Sequence, residues 1–253
     1  MKTLRVATAC VALALTLAGC VARVTPSSEP QGDQFTPSQA PTEESSEAPS
    51  GSATSGDCGF RTDESGKEPA VGLPPDEGPV AATTLTLTTS AGPIAITLDA
   101  NRAPCTVQSM VFLASKGYFD NTTCHRLTAA EGLKVLQCGD PEGTGGGGPG
   151  YVVPDELPTD LPAGPNTQGT ETVIYGRGLV AMANAGPGTT GSQFFLVYGD
   201  STLPPNYTVF GTVDQAGLTT LDQIAAGGIT PGQNGPEDGA PKNPVTITSA
   251  VAA

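Results

Sequence analysis

Tryptophan is absent from this chain of 253 residues, and histidine occurs once, at His125. Basic residues are also scarce: 11 lysines and arginines face 25 acidic residues, which gives a formal net charge of −14. Nucleic-acid phosphates repel such an acidic surface, so we expect no nucleic-acid partner. No cysteine or carboxylate cluster surrounds the histidine at ligand spacing. We therefore expect a buried, hydrogen-bonded His125, no metal site and no cofactor.

The start of the chain lacks a run long enough to cross a bilayer comfortably, because the apolar stretch Val6–Ala18 is too short. This stretch follows Lys2 and Arg5 and ends in Leu17–Cys20, so residues 1–19 look like a signal peptide with a bacterial lipobox. We therefore expect a lipid on Cys20 that anchors the protein to the outer face of the cell membrane. An ordinary signal peptide whose apolar region ends near a cysteine is the alternative.

Large apolar side chains are nearly missing from residues 20–57, which are rich in serine, proline, threonine and glutamate. Such a segment buries too little surface to offset the entropy of ordering it, so we expect a disordered tether that acts as a spacer. A partner-binding role is the less favoured alternative. Residues 58–82 would lead from the tether into a single folded domain over residues 83–253.

Alternating apolar and polar residues begin at Thr83 and predict short strands. The turn Ser90–Gly92 separates the first strand from a second over Ile94–Leu98, which is typical of a hairpin. The other predicted elements are helices from Pro104 to the stop at Gly117 and over Thr219–Ala226, and strands over Cys124–Leu127, Leu133–Cys138, Gly178–Ala183, Gln193–Tyr198, Val209–Val213 and Val245–Val251. Eight short strands and two helices predict a mainly β domain, built as one closed eight-stranded antiparallel barrel.

The segment Gly178–Phe195, GLVAMANAGPGTTGSQFF, is predicted to form a strand, a loop of small residues and a second strand. Ala183 and Ala185 would let a polypeptide approach the backbone closely, and Asn184 is placed to hold it. Alone, such a loop is usually an ordinary turn. Three further stretches change this interpretation: Cys124–Leu127, Leu136–Pro141 before the glycine loop Gly143–Gly150, and Tyr207–Gly211.

In order and spacing, these four stretches resemble the cyclophilin family over about Thr83 to Val251. The resemblance implies a barrel capped by two helices, peptidyl-prolyl cis–trans isomerase activity and proline-containing polypeptides as substrates. The catalytic residues that it implies are Arg126, the preceding His125, Gln137 and Asn184. The substrate-binding residues that it implies are Ala183 and Ala185 on the docking edge, Gln193 as a polar contact, Val135 and Phe195 as pocket walls, and Leu203 and Tyr207 at the rim.

Prolyl isomerisation breaks no bond and therefore needs neither a nucleophile nor a metal. Its barrier of about 18–20 kcal/mol arises from the partial double-bond character of the amide. A catalyst must bind the twisted amide more tightly than either planar form. When the amide twists, the proline nitrogen gains a lone pair, to which the permanently charged guanidinium of Arg126 can donate.

Three positions depart from the family pattern and predict a thinner proline pocket. Lys134 stands where the family has a pocket aromatic, Thr202 where tryptophan is common, and Tyr207 where many members have histidine. These departures concern peptide and cyclosporin-type inhibitor affinity more than catalysis. Lys134 and Thr202 keep open an alternative, a proline-peptide binding or chaperone module with little turnover. A purely structural envelope lipoprotein is a weaker alternative, which the retained Arg126, Gln137 and Asn184 oppose.

Four cysteines remain if the signal peptide is removed and Cys20 carries lipid. In an exported chain they favour two disulfides, for which three connectivities are possible. No Cys-x-x-Cys pair is present, which makes a redox enzyme a weak alternative. Cys124 and Cys138 lie on strands expected to be antiparallel neighbours, so we predict Cys124–Cys138 and Cys58–Cys105. We also expect a monomer.

Overall fold

A computed structural model of the protein describes residues 58–63, 70–75, 80–166 and 169–253. The predicted signal peptide over residues 1–19, the lipidation site Cys20 and the tether over residues 20–57 lie outside these described residues. Within the described ranges, no helix has the length and apolar character needed to cross a membrane.

Short strands and two helices build the described part of the chain. The helices, each of 12 residues, are α1 Pro104–Ser115 and α2 Gln215–Ala226. The strands are β1 Arg61–Thr62, β2 Thr84–Thr89, β3 Gly92–Leu98, β4 Thr122–Thr123, β5 Arg126–Thr128, β6 Lys134–Cys138, β7 Tyr151–Val152, β8 Val173–Tyr175, β9 Leu179–Met182, β10 Phe194–Gly199, β11 Ser201–Leu203, β12 Val209–Val213, β13 Ile229–Gly232, β14 Gly235–Pro241 and β15 Thr246–Ala252. A mainly β domain with two helices is therefore confirmed.

The first elements follow the sequence pattern closely. β2 and β3 pair antiparallel along their lengths and form the predicted hairpin. α1 begins at the predicted Pro104, whose fixed φ and missing N–H suit the first turn of a helix. α2 begins earlier than the predicted Thr219, because the Asp214 side chain caps it by accepting a hydrogen bond from the Gly217 N–H at 2.7 Å.

Eleven strands form one antiparallel sheet, in the order β13-β14-β5-β6-β10-β9-β12-β3-β2-β15-β4. Its edge strands β13 and β4 do not pair with each other in the described chain. The predicted closed eight-stranded barrel is therefore wrong, and the sheet is an open, strongly curled half-barrel. Only Cys124 and His125 separate β4 from β5 in the chain, although β4 is one edge strand of the sheet and β5 is the third strand from the other edge.

β10 separates two hydrophobic clusters, because successive side chains of a strand point to opposite faces of the sheet. Phe194 and Leu196 lie in the main core, which also contains the buried sides of both helices. Phe195 and Val197 belong to a smaller cluster on the opposite face. Partly buried residues pack around this smaller cluster, among them Leu133, Ala183, Leu203 and Tyr207. The candidate site lies on this second face.

Both predicted disulfides are present in the structure. Cys58–Cys105 ties the segment before β1 to the first turn of α1. Cys124–Cys138 joins the corner between β4 and β5 to the end of β6. The second disulfide therefore lies within two residues of Arg126 and next to Gln137 in the chain.

Candidate active site

Arg126 and Gln137 come together because β5 and β6 pair antiparallel with these two residues directly opposite each other. Side chains of directly opposed residues project from the same face of a sheet. The Arg126 Nη1 donates a hydrogen bond to the Gln137 Oε1 at 3.2 Å. Two of the predicted catalytic residues are therefore in direct contact.

Asp238 is a partner of Arg126 that sequence reasoning missed. β14 pairs with β5 so that Asp238 lies opposite Thr128, which makes Asp238 a diagonal neighbour of Arg126. The Arg126 Nε and Nη2 donate to the two carboxylate oxygens of Asp238 at 2.8 and 2.7 Å. These hydrogen bonds raise the pKa of Arg126 and lower the pKa of Asp238. Because two hydrogen bonds join the guanidinium to the same carboxylate, the plane of the guanidinium is held in one orientation.

Two glutamines extend this contact away from the arginine. The Gln137 Nε2 donates to the Gln193 Oε1 at 2.9 Å. The Gln193 Nε2 donates in turn to the carbonyl oxygens of Gly145 and Gly147, each at 2.9 Å. Gln193 therefore lies behind Gln137 and orients its amide, so that the Gln137 oxygen faces the guanidinium.

The glycine loop that receives Gln193 is held by a buried carboxylate, Asp140. Its oxygens accept hydrogen bonds from the backbone N–H groups of Glu142 at 2.8 Å, Thr144 at 2.9 Å and Gly145 at 2.7 Å. Burial raises the pKa of Asp140, but these backbone donors outweigh it, and the pKa lies below its usual value. The glycine loop is thus anchored at its base.

Beside Arg126, a cavity of about 220 Å³ opens on the second face of the sheet, with polar groups along one edge and apolar side chains as walls; we call it the apolar cavity after these walls. Its lining residues are Arg126, Leu133, Val135, Gln137, Ala183, Asn184, Phe195, Leu203 and Tyr207. The Phe195 ring meets the Tyr207 ring edge to face, with centroids 5.6 Å apart. The cavity thus gathers eight of the predicted site residues, and Leu133 is the lining residue that the sequence did not indicate.

Lys134 does not occupy the pocket position that the resemblance suggested. In a strand, residues two apart share a face, so Leu133 and Val135 line the cavity while Lys134 points away. Lys134 is exposed, and its side chain lies against Gly199. A Cβ added to Gly199 would come within 2.7 Å of the Lys134 Cδ. Thr202 likewise does not line the cavity. Leu133 supplies the apolar wall, so the Lys134 departure does not thin the pocket.

The loop after β9 places Asn184 between two cavities. The Asn184 Nδ2 donates to the Asn206 carbonyl at 2.8 Å, which braces the loop against the residue before Tyr207. Ala185 lines an adjoining larger groove rather than the apolar cavity. Its N–H donates to the Thr189 Oγ1 at 2.8 Å, so that docking donor is already engaged within the loop.

His125 lies beside the apolar cavity rather than in its lining. Its ring is under the glycine loop, where a Cβ on Gly145 would come within 3.4 Å of the His125 Cδ2. Both ring nitrogens are buried, and neither has a hydrogen-bond partner among the described residues, so the expected hydrogen-bonded histidine is wrong. Burial lowers the pKa of His125, and the nearby Arg126 adds to this while Asp140 opposes it.

The lowered pKa of His125 predicts a pH-dependent stability. The unfolded chain binds a proton at the ordinary pKa of 6.5, whereas the folded chain resists it. The free energy of unfolding should therefore hold above that pH and decrease as the pH falls below it. His125→Gln should remove the decrease, measured by denaturant titration at about pH 7.5 and 5.5. A decrease of equal size in the variant would contradict this assignment.

Comparison with protein families places most of the described domain in a known group. Residues 84–252 match the family described as cyclophilin type peptidyl-prolyl cis-trans isomerase/CLD. The chain is 54% identical over 171 residues to "Probable peptidyl-prolyl cis-trans isomerase B" of Mycobacterium tuberculosis, an alignment of 68% of this chain and 54% of the relative. It is 50% identical over 184 residues to the protein of the same name from Mycobacterium leprae, over 72% of this chain and 60% of that relative. The alignments thus span little more than half of these curated relatives.

Solved structures give the same grouping. A crystal structure of a cyclophilin type peptidyl-prolyl cis-trans isomerase from Cryptosporidium parvum matches with a TM-score of 0.54 and 27% identity, over 68% of this chain and 98% of that chain. A second structure of that protein, determined in the presence of the dipeptide Ala-Pro, matches with a TM-score of 0.50 and 28% identity, over 67% and 98% of the two chains.

Proposed function

Because the chain belongs to the cyclophilin-type peptidyl-prolyl cis–trans isomerase family, we propose that it accelerates the cis–trans isomerisation of X-Pro bonds in polypeptides. The observation that carries this proposal is the guanidinium of Arg126, held by Asp238 and Gln137 at the edge of an apolar cavity. A fixed charged donor beside an apolar pocket stabilises the twisted amide by a hydrogen bond and adds little to the binding of the planar amide.

The donors of Arg126 divide between the protein and the substrate. A guanidinium has five N–H donors. In the described contacts, Asp238 takes one from Nε and one from Nη2, and Gln137 takes one from Nη1. The remaining N–H groups on Nη1 and Nη2 are those that we assign to the lone pair of the twisted proline nitrogen. Val135 and Phe195 would hold the proline ring still while the acyl side rotates.

The substrates in this proposal are exported proteins that fold at the outer face of the cell membrane, to which Cys20 attaches the enzyme. The lipobox Leu17–Cys20 and the spacer composition of residues 20–57 support this placement. The two disulfides also support it, because disulfides persist in oxidising compartments outside the cytoplasm.

Exchange NMR on an Ala-Pro peptide with the full-length chain tests the activity. The peptide is a suitable probe because the Cryptosporidium parvum protein was solved in the presence of Ala-Pro. Faster cis–trans exchange at catalytic enzyme concentration is the expected result. Saturable binding without faster exchange would reject the enzyme and establish the alternative, a proline-peptide binding or chaperone module.

Anchoring is tested by cell fractionation. Wild type should sediment with the membranes, whereas Cys20→Ala should lose the lipid and leave the membrane fraction. Cys10→Ala is the matched control, because Cys10 lies within the predicted signal peptide but outside the lipobox. Equal membrane association of wild type and Cys20→Ala would show that the anchor assignment is wrong.

A further inference from the structure

A larger groove of about 610 Å³ continues from the apolar cavity, with which it shares Gln137, Ala183 and Asn184. One side is formed by the glycine loop over residues 145–149 and another by residues 183–189. Most of these residues are small, so an extended polypeptide could lie along the groove. A proline seated in the apolar cavity would therefore place its neighbouring residues here.

Arg61 lines this groove from a segment outside the family match, which begins at residue 84. β1 pairs with β7, with Arg61 opposite Val152. The segment is fixed on both sides of Arg61: Cys58 is disulfide-bonded to Cys105, and the Asp63 N–H donates to the Gly150 carbonyl at 3.0 Å. The exposed guanidinium thus extends from an anchored backbone.

The charge of Arg61 is not used within the described part of the protein. The other three arginines described there each pair with a carboxylate: Arg102 with Asp160, Arg126 with Asp238 and Arg177 with Asp222. Arg61 makes no such ion pair there, although the chain carries 25 acidic residues. Its Nη2 lies 3.7 Å from the position that a Cβ on Gly188 would take, at the rim of the groove. An unused cation thus faces the path of the substrate.

We propose that Arg61 binds a carboxylate side chain, Asp or Glu, in the polypeptide segment that flanks the proline. This rests on the proposed function, and it makes the groove a subsite that selects among prolines by their neighbours. The net charge of −14 disfavours the binding of acidic peptides to the rest of the protein. The single cation Arg61 should therefore favour an acidic residue at only one position of the substrate peptide. Asp63 also lines the groove and reduces the local positive potential, which keeps the preference moderate.

A peptide panel tests the proposal on the full-length chain. Each peptide contains one Ala-Pro unit. Glu or Gln is placed at a single position, which is one of the three residues before this unit or one of the three residues after it. We expect kcat/KM to favour Glu over Gln by about two- to fivefold at one position, the range for an exposed ion pair. The preference should shrink as salt rises, because salt screens exposed charges.

Arg61→Gln should abolish this preference and leave the rates on the Gln peptides unchanged. Arg177→Gln is the control, because it removes the same charge from an arginine that pairs with Asp222 on α2. Equal rates on Glu and Gln peptides in the wild type, or a preference that survives in Arg61→Gln, would overturn the proposal. Affinity titration of the same peptides keeps the two proposals apart: a charge preference in binding without turnover rejects the isomerase and retains the Arg61 subsite.

Discussion

Arg126→Ala should lower kcat/KM for an Ala-Pro peptide by about 10²–10³, as the loss of one transition-state donor typically does. The planar proline nitrogen offers no lone pair, so Arg126 contributes little to ground-state affinity. In the twisted amide the lone pair appears and accepts a hydrogen bond from the guanidinium. The variant should therefore lose much more turnover than peptide binding.

Exchange NMR and peptide titration on the same variants measure this split. Phe195→Ala is the comparison, because it opens the apolar cavity and should weaken affinity more than it slows the bound-state step. Asn184→Ala should affect both, since its side chain braces the loop through the Asn206 carbonyl. Equal losses of binding and rate in Arg126→Ala would reject the proposed mechanism even if the enzyme is active.

Asp238→Asn should lower kcat/KM by about 10–10², because small displacements of a catalytic group have effects of this size. Asp238 touches no substrate in this scheme and acts by positioning Arg126 through two hydrogen bonds. An asparagine side chain has one oxygen and no charge, so it cannot match both donors of the fork. The loss should appear in kcat more than in KM, and Asp238→Glu should restore part of it.

The control for Asp238 is Asp222→Asn, which breaks the ion pair with Arg177 outside the site. It should leave kcat/KM unchanged. The pKa of Asp238 lies below its ordinary value of 3.8, so the pair contributes stability above that pH and loses it as the pH falls through the folded pKa. The acid decline of activity that this titration causes should be missing in Asp238→Asn. Unchanged turnover in Asp238→Asn would contradict the positioning role.

Local pattern predicted much of the cavity and little of what surrounds it. Hydrophobic alternation found the β2–β3 hairpin, and the family motifs found Arg126, Gln137 and Phe195. The same alternation rule would have found Leu133, which shares a strand face with Val135. Lys134, which the resemblance compared with a pocket aromatic, lies on the strand face opposite to that of Leu133 and Val135 and therefore does not reach the cavity.

Asp238 lay beyond the reach of sequence pattern for a physical reason. It belongs to β14, GPEDGAP, a strand with a single buried residue that pairs through its backbone with β13 and β5. Such a strand buries few side chains and therefore needs no alternation of apolar and polar residues. Its glycines and prolines are typical of loops, so the sequence pattern does not predict a strand here. The open edge of the sheet was missed for the same reason, since β13 was not expected at all.

The ion pair that orients the guanidinium has a consequence for the order of events during synthesis. Arg126 and Asp238 are 112 residues apart in the chain. At about 5–20 residues per second, roughly 6–20 s of translation separate the two residues. Throughout that interval the emerging chain has its arginine without the carboxylate that orients it. During synthesis the chain therefore lacks the oriented guanidinium, and the full activity proposed for Arg126 becomes available only after Asp238 has been added and β14 has paired with β5.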